Sequence, residues 1–275
     1  MHGASRGKTL SSRFRLLALA AFVNMPSAQA ANLKVEIVQQ FNDYIREVEA
    51  RLAPRFQGEY FLWSDQSTEA RKEVAVGQIA VEPAKNKGLT EIKGGMIQDW
   101  QGAVFIPGAK LERVLQVVQD YANHAKYYSP DVVTSKVVSH TGDHWQVVMR
   151  TLKTKLFLSD VLETENDITF ENLDATKVYG IAKSMRIQEV ANPGKGDEHL
   201  LLEGHDRGLL WRLYGYWFYE ERDGGVYVEC ESVTLTRDVP FGMGAVVAPI
   251  IRKVPGESLR SSLEHTREAM LNEAH

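Results

Sequence analysis

Residues 211–236 read WRLYGYWFYEERDGGVYVECESVTLT. Two alternating, aromatic- and valine-rich runs flank Arg222-Asp223-Gly224-Gly225. An Asp-Gly step between two such runs predicts a β-hairpin, because the tight turn needs positive φ and glycine supplies it without strain. The strands are expected at 208–220 and 226–236. Side chains alternate between the two faces of a strand, so one anchor sets the phase. Glu229 and Glu231 are expected to face water, which turns Val226, Val228, Cys230, Ser232 and Thr234 inward. With Glu220 outside, Trp211, Leu213, Gly215, Trp217 and Tyr219 also turn inward.

Upstream of the hairpin, β-like runs follow one another at 132–140, 145–152, 155–163, 168–173 and 177–190. Placing Arg150 outside turns Trp145, Val147 and Met149 inward. Before them come a strand at 96–106, a helix at 109–120 with Leu111, Val114, Leu115 and Val118 on one face, and a short helix at 121–128 ended by Pro130. After the hairpin come two helical stretches, 241–254 and 255–271, divided at Pro249 and Pro255. Consecutive strands with helices at the ends make an α+β chain with an antiparallel sheet. Residues 32–52 carry an amphipathic pattern (Leu33, Ile37, Phe41, Tyr44, Ile45, Val48, Leu52) and are expected to be a helix that Pro54 stops. A second helix is expected at 68–76, capped by Ser67 or Thr68. Residues 31–94 are read together as an N-terminal helical extension, and 95–272 as the main domain. Asn192-Pro193-Gly194-Lys195-Gly196-Asp197 is a turn-rich insertion.

The element order resembles that of the START-like superfamily, also called the helix-grip, Bet v 1-like or polyketide cyclase-like fold. Four stretches carry the resemblance. Phe105-Ile106-Pro107-Gly108-Ala109 leads into Leu111-Glu112-Arg113-Val114-Leu115. Val117 to Tyr121, followed by Tyr127-Tyr128 before Pro130, looks like a helix-helix notch. The hairpin runs from Trp217-Phe218-Tyr219-Glu220 to Val226-Tyr227-Val228, and a long helix closes the chain. The order of these stretches carries the likeness, since no one of them is specific. Residues 31–94 and the 191–208 insertion depart from the pattern. The resemblance implies a sheet curled around the last helix, with a cavity between them for a lipid or other apolar molecule.

The expected ligand-facing set is Trp145, Val147, Met149, Trp211, Leu213, Gly215, Trp217, Val228, Cys230, Ser232, Val247 and Ile251. Large residues beside small ones fit either a void for a ligand or a close-packed core that admits the final helix. The nearly uncharged segment 241–251 reads as a mobile gate, a lipid-touching surface, or the first half of the core helix.

No nucleophile elbow, phosphate loop, dinucleotide fingerprint or zinc helix occurs in the chain, so no cofactor or metal is expected. His140, His144, His199 and His205 sit beside turns and read as solvated. Asp120 and His124, four residues apart, could form an acid-base pair or an ordinary helix ion pair. Cys230 is the only cysteine and reads as a buried, inert thiol.

The first thirty residues have the layout of a secretory leader. Arg6, Lys8, Arg13 and Arg15 precede the apolar run 16–23, and Ala28-Gln29-Ala30 offers a cleavage site. Cleavage near Ala31 would deliver the chain to the periplasm or beyond. Four of the 32 basic residues and none of the 36 acidic ones lie in the leader, so the remainder carries −8. That balance disfavours nucleic acid as a partner. Three functions are therefore expected in turn: an exported carrier of an apolar molecule, a cyclase-like or aromatase-like enzyme using the same cavity, or an interaction module of the cell envelope.

Overall fold

The computed structural model describes residues 33–155, 158–203, 205–206, 210–238 and 253–272. The leader and the 241–251 segment, with Val247 and Ile251, lie outside the described residues.

The chain opens with α1 (Val35–Phe56), a 3-10 turn (Trp63–Asp65) and α2 (Thr68–Ala75), whose cap Ser67 accepts the amide of Ala70. The strands are β1 (Ala80–Pro83), β2 (Leu89–Ile92), β3 (Gly95–Pro107), β4 (Val132–Thr141), β5 (His144–Lys155), β6 (Leu158–Asn172), β7 (Lys177–Ala191), β8 (His199–Leu200), β9 (Arg212–Arg222) and β10 (Gly225–Arg237). Between β3 and β4 lie α3 (Leu111–Gln119), a 3-10 turn (Tyr121–Asn123) and α4 (His124–Tyr127); α5 (Val254–Asn272) follows β10.

The sheet is antiparallel throughout, in the order β1-β3-β10-β9-β7-β6-β5-β4, with β2 also on β3 and β8 on β7. The β9–β10 hairpin is present with Arg222 opposite Gly225. Asp223 and Gly224 both take positive φ at its tip, as the turn chemistry requires. Register shifts in β4 and between Glu165 and Asn166 of β6 introduce local bends. The bend in β6 is why two expected strands are one. The polar run Thr164-Glu165-Asn166-Asp167 looks like a break, yet the Asn166 amide donates to the Thr164 hydroxyl (2.9 Å) and to the carbonyl of Val147 (3.3 Å), so pairing continues through it.

Residues before 95 do more than extend the chain with helices. β1 and β2 both pair with β3 and form one edge of the sheet. α1 runs two residues past Pro54, and its last turn carries Arg55 under the sheet. The insertion after β7 folds back, with Leu200 opposite Val190.

Two cores lie on opposite faces of the sheet. On the outer face Ile37, Phe41, Tyr44, Ile45, Val48 and Leu52 of α1 pack against Ile97, Tyr216, Phe218, Val233 and Leu235. On the inner face α3, α4 and α5 pack against the even residues of β3 and β10 and the odd residues of β9.

Two expectations change here. Glu229 and Glu231 do not face water: both are fully buried, because α1 covers the outer face. The phase drawn from them survives, since Val226, Val228 and Cys230 do point inward. Trp211 departs from its phase. It precedes β9, packs with the outer core, and donates its indole N–H to Asp206 at 3.2 Å.

Candidate functional site

The inner face is built by strand register. Trp145 of β5 lies opposite Ile168 of β6, which lies opposite Ala182 of β7, which lies opposite Gly215 of β9. Gly215 in turn lies opposite Ser232 of β10. The neighbouring row brings Phe170, Gly180, Trp217, Cys230 and Gly102 into line. Large side chains thus stand beside small ones, of which Gly102, Gly180 and Gly215 carry no Cβ. A Cβ on Gly180 would sit 3.0 Å from the ring of Phe170, so that ring fills the space the glycine leaves. A Cβ on Gly102 would meet Leu263 of α5 at 2.8 Å, so there the missing side chain seats the helix. At both places the small residue admits a close-packed neighbour, a ring at Gly180 and the final helix at Gly102.

α5 is held at one end of the sheet. Among the described residues it rests on β1, β3, β10, α3 and α4, and has no comparable contact with β5, β6, β7 or β9. Arg267 donates to the carbonyl of Gly77 at 2.8 Å, Arg260 to that of Ile79, and Ser261 to Asp131 at 2.7 Å. Tyr128 pairs with Thr266 at 3.1 Å. α5 thus seats on the β1–β3–β10 part of the sheet, and the inner face continues over β5, β6, β7 and β9. That face presents Trp145, Val147, Met149, Phe170 and Trp217, and Met149 and Trp217 are only partly buried.

Of the expected ligand-facing residues, the structure gathers Trp145, Val147, Met149, Trp217, Val228 and Cys230 in the inner core. Leu213, Gly215 and Ser232 share that face by register. Cys230 is buried, and burial pushes its thiol well above the usual range.

Asp120 and His124 do not form an acid-base pair. The Asp120 carboxylate accepts from Asn123 at 2.9 Å and from Tyr127 at 3.1 Å. The His124 ring turns inward, and its Nε2 lies 3.1 Å from the carbonyl of Val118. Burial holds its pKa down at about 4, so it is neutral at pH 7 and committed to the backbone. Among the strand arginines, Arg186 pairs with Glu165 and Arg212 with Glu203. His144 is not simply solvated, since its Nε2 lies 2.8 Å from a carboxylate oxygen of Asp167.

The sequence reading missed two groups. One is the set of outer-face carboxylates: Arg51 binds Glu231 at 2.7 and 2.9 Å, and Tyr44 donates to Asp99 at 2.9 Å. Arg51 and Arg55 lie four apart beside Val48 and Leu52, a signal that cations go under α1 with its apolar stripe. The other is the pairing of Tyr128 with Thr266 of α5 at 3.1 Å.

Curved antiparallel strands wrapped on a C-terminal helix, preceded by a strand and two short helices, define the architecture. The fold is an α+β helix-grip. No family model matches the chain, and no curated protein matches it. Solved structures do. A protein of Thermus thermophilus is 15% identical, with a TM-score of 0.47 over 64% of this chain and 98% of its own. A STAR-related lipid transfer protein of Xanthomonas axonopodis is 16% identical, with a TM-score of 0.39 over 66% and 99%. An aromatase/cyclase of a Streptomyces species is 10% identical, with a TM-score of 0.43 over 65% and 96%.

Proposed function

We propose that this chain binds and carries an apolar small molecule or lipid on the concave face of its helix-grip. One observation carries the reading: the inner face over β5, β6, β7 and β9 is lined by Trp145, Val147, Phe170 and the partly buried Met149 and Trp217, while α5 seats on the β1–β3–β10 end. At about 25 cal/mol per Å², hiding roughly 300 Å² of hydrocarbon there supplies about 7 kcal/mol, against which the association cost must be set. Such binding needs apolar area and one or two orienting polar groups. It needs no acid-base pair, which suits an Asp120 and His124 that are turned to other partners.

The test is native mass spectrometry of the protein purified from its own cells, followed by organic extraction. A reproducible apolar adduct supports carriage. A clean apo mass, together with no uptake of added hydrophobic probe, refutes it.

The export reading rests on the leader of residues 1–30. Intact-mass analysis of the protein from the cell envelope or medium should give a chain beginning at Ala31. A full-length chain confined to the cytoplasm would overturn export without touching the binding proposal.

A further inference from the structure

α1 closes the outer face over ionisable groups whose charges do not balance. The side chains of Asp99 on β3 and of Glu229 and Glu231 on β10 are at most 1% exposed, and two guanidiniums meet them. Arg55 pairs with Glu229. Arg51 reaches in from the rim, with its side chain 40% exposed, and donates to both oxygens of Glu231 and to one of Asp99. The other groups that neighbouring elements bring to this interface are already matched. Glu49 of α1 takes Lys183 of β7 at 2.7 Å and the Tyr216 hydroxyl of β9 at 3.1 Å. Glu47 of α1 takes Lys85, from the loop before β2, at 2.8 Å, and the same ammonium lies 5.6 Å from the centre of the Tyr44 ring. Three buried carboxyl groups therefore share two arginines.

Geometry singles out the carboxyl that is left over. Oδ2 of Asp99 accepts from Tyr44 at 2.9 Å and from Arg51 at 3.3 Å, whereas its Oδ1 is buried with no hydrogen-bond partner. A buried carboxylate with one bare oxygen and a second carboxylate beside it is strongly disfavoured, and a proton on that oxygen removes the charge. Burial and Glu231 push the Asp99 carboxyl up to about 7.

We propose that a proton on Asp99 latches α1 onto the sheet: the helix stays closed while this carboxyl is neutral and opens more often once it ionises. When α1 lifts, Asp99 meets water and its pKa returns to the ordinary aspartate range near 4. The closed form thus holds the proton more tightly than the open form. Opening should become about tenfold easier per pH unit between roughly 4 and 7 and level off above that.

The test is amide hydrogen exchange of the full chain from pH 5 to 8, corrected for the intrinsic pH dependence of exchange. Amides of α1 should be less protected than those of β5 and β6, because they exchange through an opening smaller than unfolding. Their protection should fall about tenfold per unit from pH 5 to 7 and then hold steady. Asp99→Asn should remove most of that slope. Glu231→Gln frees Asp99 of its rival for Arg51 and should move the fall toward lower pH. In the parent, the side-chain carboxyl carbon of Asp99 should titrate in NMR spectra with a midpoint near 7. Four results would each overturn the latch: α1 protection that does not change with pH, an Asp99→Asn variant with the parent's slope, α1 amides as protected as those of β5 and β6 throughout, or an Asp99 midpoint near 4.

Discussion

Arg55 and Glu229 meet 2.8 Å apart under α1, with the arginine side chain 8% exposed and the glutamate not at all. The same carboxylate takes the backbone N–H groups of Trp63 and Ser64 at 2.8 and 3.1 Å, and the guanidinium lies 3.6 Å from the centre of the Phe218 ring. Burial pushes the Glu229 carboxyl up, while Arg55 and the two amides pull it back. This pair fastens the N-terminal helix to the outer face of a sheet whose inner face carries the candidate site.

Removing one partner strands the other in a dry environment. Arg55→Met or Glu229→Met should each cost about 3–5 kcal/mol, and the double Arg55→Met/Glu229→Met variant less than the sum. Urea unfolding of the four proteins closes the cycle. Additive losses would show that the two side chains act separately.

The carboxyl of Asp99 is pushed up to about 7 by burial and by Glu231 beside it, against the hydrogen bond from Tyr44. The folded chain then holds a proton that the unfolded chain releases near pH 4. The Asp99 contribution is therefore largest in acid and declines as pH rises through about 7. Asp99→Asn keeps an acceptor for Tyr44 and removes the titration. Relative to the parent, it should become more stabilising as pH goes from 4 to 8. Parallel stability curves for the two proteins would refute this.

His124 works in the opposite direction. Its folded pKa of about 4 lies below the ordinary 6.5, because burial disfavours the cation. Its contribution is present above pH 6.5 and is lost as pH falls toward 4. Its ring resonances in NMR spectra should stay at their neutral positions from pH 8 down to about 5. A midpoint near 6.5 would mean that the ring is solvated.

Gly102 has no room for a methyl group, which would meet Leu263 at 2.8 Å and Leu259 and the carbonyl of Ala80 at 3.2 Å. Gly102→Ala should cost about 1–3 kcal/mol in thermal or chemical unfolding by pushing α5 off the sheet. Gly196→Ala, at a position with nothing within 4 Å, is the control and should change little.

Local pattern determined much of this protein. The hairpin, the inward phase of β9 and β10, the amphipathic face of α1 and the Ser67 cap all follow from spacing and turn chemistry, which act within a few residues. Tertiary structure decided what each face meets. Alternation places Glu229 and Glu231 opposite Val228 and Cys230, but it cannot say whether that side holds water or a helix. The answer came from Arg51 and Arg55, far away in the chain at its N-terminal end. In the same way, spacing picks out Tyr121 and Tyr219 as aromatic residues of a core. Only the folded sheet brings their rings together around Trp145 and Phe170, because contacts between distant strands and helices depend on neighbours that sequence distance does not encode.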